Sequence, residues 1–180
     1  MSILNIELMY SAAALLCAVI GAIYDVRSRR VPNVLTLPAV CFGLILHFTL
    51  GGWRELGSTA GAGLFCGLIF LAFYLAGGMG AGDVKLIAAV GCIAGLSFIG
   101  QLLIFTSLAG GVMAIGLALY RRQLRNTIFN IWSLALHHKT AGLVPHSEFN
   151  ISNAQTLRLP YALAIAAGSA LSLCLKVVQR

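Results

Sequence analysis

The chain contains only two aspartates, Asp25 and Asp83, and each stands at the edge of a long apolar run. Asp25 opens the segment "DVRSRRVPN". Asp83 closes "GGMGAGD", where Gly77, Gly78, Gly80 and Gly82 crowd the six preceding positions. Ionisable groups at or near a membrane are costly to keep, so function is the default hypothesis for them. Two carboxyls that share a partly dehydrated site do not both ionise easily. One keeps its proton and polarises a peptide carbonyl, while the other takes a proton from water, as in aspartic proteases. Simpler readings compete. Asp83 could serve as the N-cap of a helix, and Asp25 could pair with Arg27, Arg29 or Arg30. A carboxylate at a helix C-terminus opposes the macrodipole by a few tenths to about 1 kcal/mol, so Asp25 needs a reason to be there. Four glycines before Asp83 suggest unusual backbone angles or the close approach of another chain.

The elements that must position this pair are apolar helices. Of the 180 residues, 59% are hydrophobic and 9% charged, against about 25% charged in ordinary soluble domains. This excludes a water-covered globule and implies an all-α membrane protein, with residues 1–180 forming one domain. A crossing needs roughly 20 mostly apolar residues. Six segments approach that length: Leu8–Tyr24, Val34–Leu50, Gly57–Ala76, Val84–Ile99, Gln101–Tyr120 and Leu159–Val178. No charge occurs from Leu86 through Tyr120, which is too long for one crossing, so a turn is expected near Ser97–Gln101. The expected fold is a six-transmembrane-helix bundle. Between helices 5 and 6, Leu124, Ile128, Ile131 and Ala135 recur at helical spacing behind an arginine cluster. They imply an amphipathic helix on the inner membrane surface. The first run lacks a basic leader and is expected to be retained rather than cleaved as a signal.

Charge placement sets the orientation. The net charge of +7 does not point to nucleic acid, because Lys and Arg cluster at the ends of apolar runs. With the loop after helix 1 inside, Arg27, Arg29, Arg30, Lys85, Arg121, Arg122, Arg125, Lys139 and Arg158 are cytoplasmic, and only Arg54, Lys176 and Arg180 lie outside. Both termini are then extracytoplasmic. Asp25 ends one helix and Asp83 begins another at the same cytoplasmic depth. Among the other candidates, Lys85 and Asp83 are two apart and do not face each other on a helix, so Lys85 is expected to snorkel to the headgroups. Pro32 suits the start of a helix, and Asn33 beside it reads as a turn residue in preference to one that orders the site. Cys17, Cys41, Cys66, Cys92 and Cys174 lie inside apolar runs with no C-x-x-C pair, and read as small packing residues. His137, His138, His146 and Glu148 read as a solvated face, and no metal or other cofactor is expected.

These residues carry a resemblance. "GAGD", Gly80 to Asp83, resembles the GxGD signature of membrane aspartyl proteases. "DVRSRRVPN" resembles the D-x-R-x-x-x-I-P-N segment of type IV prepilin peptidases, with Val31 in the Ile position. "LPYALAIAAG", from Leu159, resembles that family's last helix. The resemblance implies a leader peptidase that cuts prepilin or pseudopilin precursors at the cytoplasmic face of the inner membrane. It assigns the catalytic pair to Asp25 and Asp83, and makes Gly80, Gly82, Lys85 and Asn33 candidates for the substrate-binding loop. No cysteine motif precedes Asp25, so the chain is similar to the short, tight-adherence (Flp-type) members, and methylation of the new N-terminus is not expected. An archaeal preflagellin-type peptidase shares the same logic. A transporter using two membrane aspartates would place them nearer the midplane.

Overall fold

The computed structural model describes residues 3–76, 78–122 and 160–178, all of them in helices or short connections. The expected amphipathic helix over Leu124–Ala135 and the loop after it lie outside the described residues. Five helices follow one another: α1 (Ile3–Ser28), α2 (Asn33–Leu75), α3 (Ala81–Ala94), α4 (Leu96–Tyr120) and α5 (Tyr161–Val178). Four of them, α1, α2, α4 and α5, are long and apolar enough to cross a membrane.

Two boundaries differ from the sequence expectation, and each turns on one glycine. The two helices expected at Val34–Leu50 and Gly57–Ala76 are both present as the two arms of α2, which meet at a kink at Gly52, the one non-helical residue of α2, at φ 69° and ψ −159°. The positive φ is open to glycine and costly for other residues. The polar-looking stretch around Arg54 and Glu55 is therefore helical rather than a loop. The helix expected at Val84–Ile99 ends earlier, at Ala94. The break is Gly95, at φ 77°, and α4 starts directly after it. Apolar residues continue on both sides of Gly95, so a one-residue break leaves no trace in hydropathy. At 14 residues, α3 is about 21 Å long, short of the roughly 30 Å hydrocarbon core.

α2 folds back on itself at Gly52. Gly43 and Gly63 would lie about 30 Å apart on a straight helix, yet both pack against Cys92 of α3. A Cβ built on Gly43 would come 3.0 Å from the Cys92 carbonyl carbon, and one on Gly63 would strike the Cys92 sulfur. The two arms of α2 thus clasp α3 from two sides. α1 meets it from another, with Gly21 against Leu86. Leu86, Ile87, Ala89 and Val90 are completely buried, so the shortest helix is the axis of the bundle. α5 closes the bundle between α1 and α4, with Gly168 seated on Thr106.

The interior is small and partly polar, while large side chains such as Leu64, Phe65, Leu68 and Ile104 face outward. Buried Ser11 and Ser169 donate to carbonyls four residues back, at 2.8 Å each. These bonds satisfy each hydroxyl within its own helix, and the close backbone approach suits a bilayer, where lipid is as apolar as leucine. The bundle has two distinct ends. At one, Lys176 of α5 pairs with Glu7 of α1 at 2.9 Å, and buried His47 meets the Ile93 carbonyl at 3.1 Å beneath the stacked ring of Tyr10. At the other end lie the last turn of α1 and the first turns of α3 and α5.

If close approach at α3 holds the fold, Gly63→Leu should destabilise the protein by about 1–3 kcal/mol through overpacking. Gly61→Ala, on the same arm with open space around it, should leave the melting temperature in detergent nearly unchanged. Equal melting of the two variants would contradict the clasp.

Candidate active site

Asp25 sits in the last turn of α1. The chain leaves that helix through Arg29, whose φ of 52° ends it. The Arg29 N–H still donates to the Asp25 carbonyl, at 2.7 Å. Among the described residues no ion pair forms between Asp25 and the neighbouring arginines, although the Arg29 charge reaches its carboxyl. The carboxyl is half-buried. The ion-pair reading of Asp25 therefore does not describe the structure.

Asp83 is the third residue of α3, and Gly80, in extended conformation, is the N-cap. The N-cap reading of Asp83 is thus displaced by three residues. One carboxyl oxygen, Oδ2, accepts the Gly80 N–H at 3.3 Å and closes half of a capping box. The other, Oδ1, is buried and has no formed hydrogen bond among the described residues. A cap needs one oxygen, so the second is free for chemistry.

The charge of Asp25 reaches the carboxyl of Asp83. Asp83 is 8% exposed and stands just ahead of the apolar stretch that begins at Val84. Burial, followed by the charge of Asp25, pushes its carboxyl up to about 7, against the smaller opposing pull of the Gly80 and Ala162 N–H groups. The environment therefore favours a shared proton on Asp83 near neutrality.

A third element completes the site. The backbone N–H of Ala162, in the first turn of α5, reaches both carboxyls, too loosely to count as a formed bond to Oδ1. Tyr161 stands within electrostatic reach of Asp83. A helix N-terminus favours negative charge, so α5 offers a donor to whichever carboxyl is ionised. Sequence reasoning missed this donor, because a backbone N–H has no residue type. The available signal was Pro160 immediately before an apolar run, a helix-start mark.

The remaining candidates build the frame. Gly82 is placed where a Cβ would come within 3.2 Å of the Val31 nitrogen, so its bareness lets the segment after Asp25 lie against the segment holding Asp83. Gly80 has an ordinary φ of −83°, and Gly82 is helical. Close approach, rather than unusual backbone angles, explains both. Lys85 does not stand alone at the headgroups: its Nζ donates to Asn33 Oδ1 at 3.0 Å. That bond joins the start of α2 to the first turn of α3 at the exposed rim, and it touches neither aspartate. Among the described residues no cluster of three His, Cys, Asp or Glu is arranged to hold a metal ion. His137, His138 and His146 lie outside them.

Residues 12–115, which include both aspartates, match the type IV leader peptidase family. The chain is 36% identical over 121 residues to the prepilin leader peptidase/N-methyltransferase of Aeromonas hydrophila, covering 62% of this chain and 41% of that protein. It is 31% identical over 120 residues to the Escherichia coli K12 protein of the same description, covering 52% of it. With the Neisseria gonorrhoeae protein so described, identity is 38% over 98 residues and coverage 34%. The chain thus spans about half, or less, of the length of the curated relatives it matches. No solved structure matches it.

The raised Asp83 carboxyl has a consequence for stability. A folded-state value above the unfolded one means that the folded protein holds the proton more tightly. That contribution is full below the unfolded value near 4 and is lost as pH rises through about 7. Asn mimics the protonated acid. The melting temperature of Asp83→Asn in detergent, minus that of the parent, should therefore grow from pH 5 to pH 8. A difference independent of pH would mean that Asp83 is not buried beside Asp25.

Proposed function

Because the chain belongs to the type IV leader peptidase family, we propose that it removes the leader from prepilin or pseudopilin precursors with Asp25 and Asp83 as the catalytic pair. The observation that carries this is the buried, unbonded Oδ1 of Asp83 in a site shared with Asp25. Only the peptidase half of the relatives' names is carried over, because a carboxyl pair does hydrolytic chemistry and no methyl transfer. Asp83, the more deeply buried member, keeps the shared proton, and Asp25, half-exposed, is the base in reach of water. Asp25 takes a proton from water as the water oxygen attacks the scissile carbonyl carbon. Asp83 gives its proton to the carbonyl oxygen, forming a neutral tetrahedral diol. On collapse the proton on Asp25 passes to the leaving nitrogen, the C–N bond breaks, and Asp83 recovers a proton from the diol hydroxyl whose oxygen stays on carbon as the new carbonyl. The Ala162 N–H offsets the negative charge that moves between the carboxyls during this cycle.

The same reading extends to topology. The two arms of α2 count as separate crossings, about 28 and 34 Å long for Asn33–Gly51 and Trp53–Leu75, which gives six with α1, α3, α4 and α5. The shortness of α3 is tolerable because protein rather than lipid surrounds it. Arg27, Arg29, Arg30, Lys85, Arg121 and Arg122 gather at the aspartate end, while Arg54 and Lys176 lie at the other. The positive-inside rule then puts the aspartates at the cytoplasmic face of the inner membrane.

Incubation of the purified protein with a pilin precursor in detergent should yield a shortened product. Asp25→Asn and Asp83→Asn should each abolish it while remaining folded, and Gly82→Val should reduce it at least about tenfold by wedging Val31 away from the pair. Cleavage should fall as pH rises through about 7, where Asp83 loses its proton. EDTA should have no effect. Full cleavage by either Asn variant would sink the two-carboxyl mechanism.

Reporter fusions test the orientation separately. A fusion after Arg30 should report cytoplasm, and one after Arg54 should report the outer side. A cytoplasmic signal at Arg54 would remove the hairpin crossing.

A further inference from the structure

An apolar groove of about 710 Å³ opens on the flank of the bundle, between the second arm of α2 and α4. Its upper end is formed by Tyr161, which is within electrostatic reach of Asp83, and by Met79, four residues ahead of Asp83. From there it descends along α4 as far as Leu103. The antiparallel pairing of α4 with α5, Gly110 by Ala164 and Thr106 by Gly168, fixes that direction. The groove therefore begins at the depth of the carboxyl pair and runs away from it, towards the far end of the bundle.

We infer that this groove seats the apolar helix of the substrate, lying side-on, so that the bond preceding that helix is delivered to Asp25 and Asp83. The inference rests on the leader-peptidase reading above and names where its substrate docks. Three observations argue for a helix rather than a small molecule or lipid alone. The first is continuity, since the groove and the carboxyl pair share a wall. The second is size. Leu103 to Ala114 spans about 16 Å, and a helix of that length and 10–12 Å width fills roughly 1,300–1,800 Å³. The groove holds about half of that, which fits a helix with one face on the protein and one on lipid. The third is the floor. Ser107, Gly111 and Ala114, at i, i+4 and i+7, share one face of α4, and all line the groove. Small residues at this spacing admit the close approach of a second helix. Gly111 has open space where a side chain would go, and Ile104 and Leu108 beside it are exposed. No ionisable group other than the Tyr161 phenol lines the groove, which suits an apolar partner whose charged leader stays outside the membrane.

The test uses the chain of residues 1–180 in lipid vesicles with a pilin precursor. A benzophenone side chain placed at Ile104 or Leu108 in the uncleaving Asp83→Asn variant should photo-crosslink to the apolar helix of the precursor. The same probe at Leu64, exposed elsewhere on α2, should not. With Asp83 restored, Gly111→Phe should raise KM about tenfold and leave kcat nearly unchanged. Gly116→Phe, also in open space but outside the groove, should leave both at the parent values. Cleavage by the parent together with equal crosslinking at Leu64, or with crosslinks from Ile104 and Leu108 only to lipid or to residues 123–159 of the same chain, would overturn the inference and leave the peptidase reading standing. Failure of the parent to cleave would remove the peptidase reading. Selective crosslinks would then still establish a helix-docking groove, and their absence would remove both.

Discussion

A carboxyl group at the edge of an apolar bundle is tolerable only where backbone donors and a neighbouring titratable group share its charge. The placement of Asp83 meets this condition, and much of the architecture follows from it. Its Oδ2 uses the Gly80 N–H, which requires an extended N-cap and therefore a helix that starts abruptly at Ala81. Its neighbour Asp25 arrives only because α1 ends at the same depth and because Gly82 is bare enough for the Val31 segment to lie against it. The third partner, Ala162, requires α5 to start at that level too. Three helix ends converge on one carboxyl.

Holding those ends in register is the task of the bundle, and it is done largely without the hydrophobic effect. In water, burying large side chains would drive such packing. Here many large side chains face outward, and small residues such as Ala18, Ala62, Cys66, Ala89 and Ser172 share the interior with Leu86, Ile87, Ile93, Leu102 and Ile165. The clasp of α2 about α3 depends on surfaces smooth enough for backbones to touch.

How much of this was legible in the sequence depended on what each feature is made of. The aspartates were legible because charges are rare in apolar runs, and alternation of crossings alone brought them to one depth. The apolar stretches were legible from length. The break at Gly52 fell between two expected helices, but Gly95 was not legible, since inside an apolar stretch it reads as one small residue among the twenty glycines of the chain. The partnership of Lys85 with Asn33 was hidden by the 52 positions between them. Each was singled out, yet the structure gives them to one another. The Ala162 donor belongs to the backbone, and no side chain announces it. The amphipathic segment stands as a sequence expectation alone.

The dependence on α5 has a temporal side. A ribosome releases α1 first, α3 and α4 later, and α5 after a further stretch of about forty residues beyond α4. Until that last helix enters the bilayer, the carboxyls can meet but lack the N–H that reaches them both, and the flank of α1 and α4 stands open. The finished site is thus a property of the completed membrane-inserted chain, and a nascent or truncated intermediate holds acids without the donor that tempers their charge.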